Sequence, residues 1–92
     1  MPENEIKVYV RVSATFGEDG QVRPRALYWE DGRRYTIDKV LAVRPAAAER
    51  AGGQGDRYTV RINGRESYLY FEHNPTYGTP ILGRWFVERK AG

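Results

Sequence analysis

Ile6, Val8, Val10 and Val12 stand at strict two-residue intervals, with Lys7, Tyr9, Arg11 and Ser13 between them. Around a helix axis that alternation would scatter the apolar groups, whereas a strand sends them all to one face. The first segment is therefore a half-buried strand. It ends at Phe16-Gly17-Glu18-Asp19-Gly20, a glycine-rich turn.

The same signature recurs along the chain. A second strand begins near Arg25, just after Pro24, whose missing N–H is tolerated at a strand start, and runs to Glu30. Asp31-Gly32 then has the composition of a two-residue type I′ hairpin turn. From Arg33 onward, Tyr35, Ile37, Leu41 and Val43 share a face that Lys39 interrupts, which predicts a bend or bulge near Asp38-Lys39. Residues 44–56, with Pro45 before the Ala46 to Ala48 run and Gly52-Gly53 after it, read as a long loop or one helical turn. Tyr58, Val60 and Ile62 next alternate with Thr59 and Arg61 up to Asn63-Gly64, a second type I′ signal. Ser67, Leu69 and Phe71 return on the matching face. His73 to Pro80 reads as a loop, and Ile81 to Lys90 as the last strand, with Trp85 and Val87 on one face and Phe86 on the other.

Six strands, regularly spaced turns and no convincing helix predict an all-β fold. A small six-stranded antiparallel barrel or bent sheet is expected, SH3-like as first choice and OB-like as second. At 92 residues the chain suits one domain, 1–92, with residues 1–5 expected to be disordered.

If both turns hold two residues, register follows. Around Asn63-Gly64, Ile62 faces Arg65, Val60 faces Ser67 and Tyr58 faces Leu69 toward the core. The opposite face then pairs Arg61 with Glu66, Thr59 with Tyr68 and Arg57 with Tyr70. Around Asp31-Gly32, Tyr28 faces Tyr35 and Ala26 faces Ile37, which leaves Leu27 and Trp29 outward, opposite Thr36 and Arg34. Trp29, Arg34, Arg57, Arg61, Tyr68 and Tyr70 thus become the candidate binding residues. They predict a non-enzymatic binding module that contacts single-stranded nucleic acid, arginines meeting phosphate while aromatic rings stack unpaired bases, or a nucleic-acid-handling protein. Two other readings compete with this one. The arginines can simply cover tyrosine rings and pair with Glu66. Alternatively, Leu27, Trp29 and Phe86 form an apolar patch for a protein adaptor or homodimer.

Charge permits a polyanion partner without demanding one, the net being +3, and 12 of the 15 cations are arginine, the residue suited to planar and bidentate contacts. The chain contains no cysteine and a single histidine, His73, so neither disulfides, thiolate metal ligands nor a histidine metal cluster is available. Ser13 and Ser67 lie in no nucleophile motif, and Gly52-Gly53-Gln54-Gly55 precedes a strand rather than opening a phosphate-binding helix. No catalytic residue, metal site or cofactor is therefore expected. The acidic N-terminus lacks the pattern of a secretory signal and no apolar run is long enough to span a bilayer, which predicts a cytoplasmic protein without membrane contact.

The stretch Leu27-Tyr28-Trp29-Glu30-Asp31-Gly32-Arg33-Arg34-Tyr35-Thr36-Ile37, followed by Val40-Leu41 and later by Gly83-Arg84-Trp85-Phe86, is similar to an uncharacterised group of small bacterial β domains. Those domains carry a Trp-x-x-Gly-Arg-Arg-Tyr hairpin, and some are associated with Y-family translesion DNA polymerases. The resemblance implies an accessory role in DNA repair and brings no catalytic residues with it.

Overall fold

The computed structural model describes residues 7–45, 55–73, 78 and 80–89. Alternation and turn chemistry divide them into eight strands: β1 (Lys7–Tyr9), β2 (Arg11–Phe16), β3 (Val22–Tyr28), β4 (Arg34–Thr36), β5 (Lys39–Pro45), β6 (Gly55–Ile62), β7 (Arg65–His73) and β8 (Gly83–Glu88). They form two antiparallel sheets, a five-stranded one in the order β1-β8-β7-β6-β5 and a three-stranded one in the order β2-β3-β4. There is no helix among the described residues.

The six expected strands become eight because two of them bend and change sheets. At the first corner Tyr9 pairs with Phe86, Val10 N–H donates to Trp85 O at 3.0 Å, and Arg11 already pairs with Tyr28. At the second, Ile37 N–H donates to Arg25 O and the next residue, Asp38, donates to Arg61 O. The bend expected near Asp38-Lys39 is this crossing, and a register shift follows between Val40 and Ala42. The result is a bent pair of sheets, not a closed barrel. Pro24 lies inside β3 rather than before it, opposite Ala14 where the ladder shifts, a position that spares its missing N–H.

Between the sheets, Ile37, Tyr58, Val60 and Leu69 form the buried core, flanked by Val10, Val12, Val40, Ile62, Phe71, Trp85 and Val87. Tyr58 reaches across it, donating its hydroxyl to Val22 O at 3.0 Å. Burial pushes that hydroxyl's pKa up, with Asp56 adding to the effect. Of the 44–56 segment only Arg44, Pro45, Gly55 and Asp56 are described, and all four are in strands. The helical turn expected there lies outside the described residues, as do residues 1–5.

The Asn63-Gly64 corner is the type I′ turn expected, with φ of 52° and 77°, and every pair from Ile62–Arg65 to Arg57–Tyr70 has the expected register. The Asp31-Gly32 corner differs. Trp29 N–H donates to Arg33 O and Gly32 N–H to Trp29 O, so the loop has three residues, Glu30, Asp31 and Gly32. Gly32 alone takes positive φ, 88°. Asp31 avoids the left-handed region and uses its carboxylate to accept Arg33 N–H at 2.9 Å.

One residue of slip inverts a strand. Leu27 pairs with Tyr35 and Tyr28 with Arg34, so Leu27 and Trp29 turn inward and Tyr28 outward, the reverse of the expectation. Burial favours this outcome: Leu27 is enclosed, while the Tyr28 hydroxyl stays with polar partners, Ser13 Oγ at 3.4 Å and Arg34 Nε at 3.3 Å. Gly17-Glu18-Asp19-Gly20-Gln21 repeats the same loop, with Gly17 N–H on Gln21 O and Gln21 N–H on the Asp19 carboxylate.

Candidate nucleic-acid interface

Pairing fixes which side chains share the outer face of the five-stranded sheet. Across it run Tyr9, Phe86, Tyr70, Arg57 and Arg44 in one cross-strand row, with Thr59 and Tyr68 in the next and Lys39, Arg61 and Glu66 beyond. Arg57, Arg61, Tyr68 and Tyr70 are therefore on one face, as expected. Their roles divide. Tyr68 is 52% exposed, with the Arg57 guanidinium 4.5 Å above its ring centroid, and Arg61 stands exposed across from Glu66. Arg57 is half-buried, and its Nε has no hydrogen-bond partner among the described residues.

Tyr70 is not a surface ring. It is 4% exposed and stacks on Phe86 at 5.0 Å, 7° from parallel, while its hydroxyl donates to Glu88 Oε1 at 3.0 Å. Tyr9 meets Phe86 edge-on at 6.0 Å and the Lys7 ammonium lies 4.7 Å over the Phe86 ring. Phe86 is thus buried as well, and so is Leu27, so the apolar patch of Leu27, Trp29 and Phe86 does not exist on the surface.

Trp29 and Arg34 lie elsewhere. Arg34 is on the outer face of the three-stranded sheet, in a row with Tyr28 and Arg11, whose guanidinium sits 4.8 Å over the Tyr28 ring. Hydrogen bonds from Ser13 and Arg34 hold the Tyr28 hydroxyl below the usual tyrosine pKa. Trp29, half-buried, faces a cleft of about 910 Å³ between the sheets, with Leu27 and Tyr35 on its wall and Val60, Ile62 and Leu69 opposite. Ser67, expected in the core, lines this cleft and is exposed there.

A second exposed ring was not anticipated. Tyr9, 42% exposed, carries the Arg84 guanidinium 4.0 Å above it and accepts a 3.1 Å hydrogen bond from Arg84. Both groups converge on Glu72, which also receives Lys7 Nζ at 2.6 Å and the Tyr9 hydroxyl at 2.8 Å. His73, expected to open a loop, instead ends β7, and its Nε2 lies 3.1 Å from the Asp56 carboxylate. Tyr9 and Lys7 were legible as outward residues of the first strand. What sequence lacked was the β1–β8 pairing that brings them beside Arg84 and Glu72.

The Lys7 hydrogen bond, opposed by burial and helped by Tyr9, holds the Glu72 carboxyl below the ordinary value of 4.5. A folded pKa below the unfolded one means that this stabilisation is complete above pH 4.5 and is lost as pH falls through the lowered value. Glu72→Gln is accordingly expected to flatten the acid limb of a urea-midpoint profile below pH 4.5. A wild-type slope in the variant would remove Glu72 as its source.

Among the described residues no group of three His, Asp or Glu is placed to hold a metal ion, and no helix is long and apolar enough to cross a membrane. Comparison with protein-family models, with curated proteins and with solved structures gave no match.

Proposed function

We propose that this chain is a non-enzymatic binding module that holds single-stranded nucleic acid on the outer face of its five-stranded sheet. The observation that carries the reading is Tyr68, an exposed ring with Arg57 stacked over it, in a face that also presents Arg44, Arg61 and Lys39. A base stacks on Tyr68, and a second on Tyr9 beside Arg84. The arginines take the phosphates, sequence-tolerantly, because every base has a π-face and every linkage a charge. Tyr70 and Phe86, stacked and buried, are the rigid floor on which these side chains stand rather than contacts. The hairpin resemblance to domains associated with translesion polymerases favours single-stranded DNA as the ligand.

The test is an amide-shift titration with short single-stranded DNA and RNA at low salt. Shifts are expected at Arg57 to Arg61 and at Tyr68, with affinity falling steeply as salt rises. Tyr68→Ala is expected to weaken binding by about 1–3 kcal/mol, roughly 5- to 150-fold, while leaving the fold intact. Unchanged spectra at millimolar oligonucleotide would remove the proposal.

A further inference from the structure

In an antiparallel pair joined by a two-residue turn, the residues flanking the turn exchange both hydrogen bonds, and every second pair after them does the same. The hydrogen-bonded pairs of β6 and β7 are therefore Ile62–Arg65, Val60–Ser67 and Tyr58–Leu69. Glu66 and Tyr68 lie between, so their N–H and C=O groups point away from β6, toward β8. There β8 does not meet them. Its ladder with β7 spans only Tyr70–Phe86 to His73–Gly83. Among the described residues, no strand ladder places a partner opposite Glu66 or Tyr68 on that side.

The two strands part into the inter-sheet cleft, which Arg65, Ser67 and Leu69 line from β7 and Val87 from β8. Its volume, about 910 Å³, is at the upper end of ligand-sized cavities. Its walls are mostly apolar, while its edge is a row of main-chain donors and acceptors at strand spacing. Only another extended backbone matches both. A lipid tail would leave the donors dry, and a nucleic-acid backbone offers no N–H.

Charge narrows the occupant further. Of the charged groups at the cleft, Arg89 is held by Glu30 at 2.7 Å, and Glu88 accepts from Tyr70. Arg65 has no ion pair among the described residues.

We infer that the free edge of β7 accepts an extended peptide of a partner protein. The peptide adds as a strand beside Glu66 and Tyr68, sends alternate apolar side chains into the cleft, and places an acidic residue at Arg65. Arg65 to Leu69 extends about 17 Å, which sets the length at about five residues.

Hydrogen exchange on the full chain tests the edge first. The Glu66 and Tyr68 amides are expected to exchange at least tenfold faster than those of Ser67 and Leu69. A panel of N-acetylated hexapeptides, with valine or isoleucine at alternate positions and aspartate at either end, is then titrated to millimolar concentration. At least one is expected to slow exchange at Glu66 and Tyr68 more than tenfold. That peptide should lose at least fivefold in affinity when its alternate amides are N-methylated, and again with Arg65→Glu. Protected Glu66 and Tyr68 amides in the free protein would overturn the inference. So would a panel that leaves both unprotected, or binding indifferent to N-methylation. Oligonucleotide shifts at the exposed rings are read separately, so either proposal can fail while the other stands.

Discussion

Phe86→Ala is expected to destabilise the fold by about 3–5 kcal/mol, although Phe86 points away from the main core. A chain of this size has roughly 5–14 kcal/mol in total, so the loss is a large share of its stability and, at the low end of that range, leaves the variant barely folded. The cost arises on the outer face. Phe86 is 2% exposed, and truncation removes the parallel stack with Tyr70, the edge contact with Tyr9 and the Lys7 ammonium above the ring. Each aromatic pair contributes about 0.5–1.5 kcal/mol beyond its buried area. Tyr68, on the same face but half open to water, should behave oppositely: Tyr68→Ala is expected to cost less than about 1 kcal/mol. Urea midpoints of the two variants measure the difference. Near-equal values would mean that this face is solvated throughout and that Tyr70 and Phe86 are not its floor.

That contrast marks where sequence reasoning reached its limit. Alternation showed correctly which residues point outward on β6, β7 and β8, and on β6 and β7 Asn63-Gly64, which admits positive φ at both turn positions, pins the register as well. Pointing outward was then equated with exposure. The equation fails at Tyr70 because strand order, which no local pattern encodes, sets Tyr9, Phe86 and Tyr70 in one row on three neighbouring strands. At adjacent strand spacing the Tyr70 and Phe86 rings bury each other, and Tyr9 closes the far edge of Phe86 while staying exposed itself.

The other failure was local, and the sequence did hold its signal. Glu-Asp-Gly occurs at 18–20 and again at 30–32. Reading Asp31-Gly32 as a two-residue corner requires aspartate in the left-handed region. A three-residue loop places only glycine there and lets the aspartate carboxylate cap the chain two residues on. Both loops choose the second solution, at Gly20 as at Gly32. A single-residue slip on β3 then turned Trp29 from the candidate contact surface into the wall of a cleft, whereas Tyr9 joins that surface through the β1–β8 pairing.

Leu69→Ala distinguishes a sealed core from one that opens at the cleft. Leu69 is fully buried and packs with Ile37, Tyr58 and Val60, which places it in the class of core truncations that cost about 2–5 kcal/mol. Two contributions make up such a cost: the lost transfer of the deleted carbons, about 0.8 kcal/mol each, and a penalty for the void that remains. Leu69 also lines the cleft where β7 and β8 part, so the space it vacates joins an existing opening instead of becoming an isolated cavity. The void penalty should be small there, and the expected loss is about 2–3 kcal/mol, the lower part of the range. A urea midpoint corresponding to 4 kcal/mol or more, at the top of that range, would show that the side chain is enclosed on all sides. It would also remove the room that a guest strand on β7 needs.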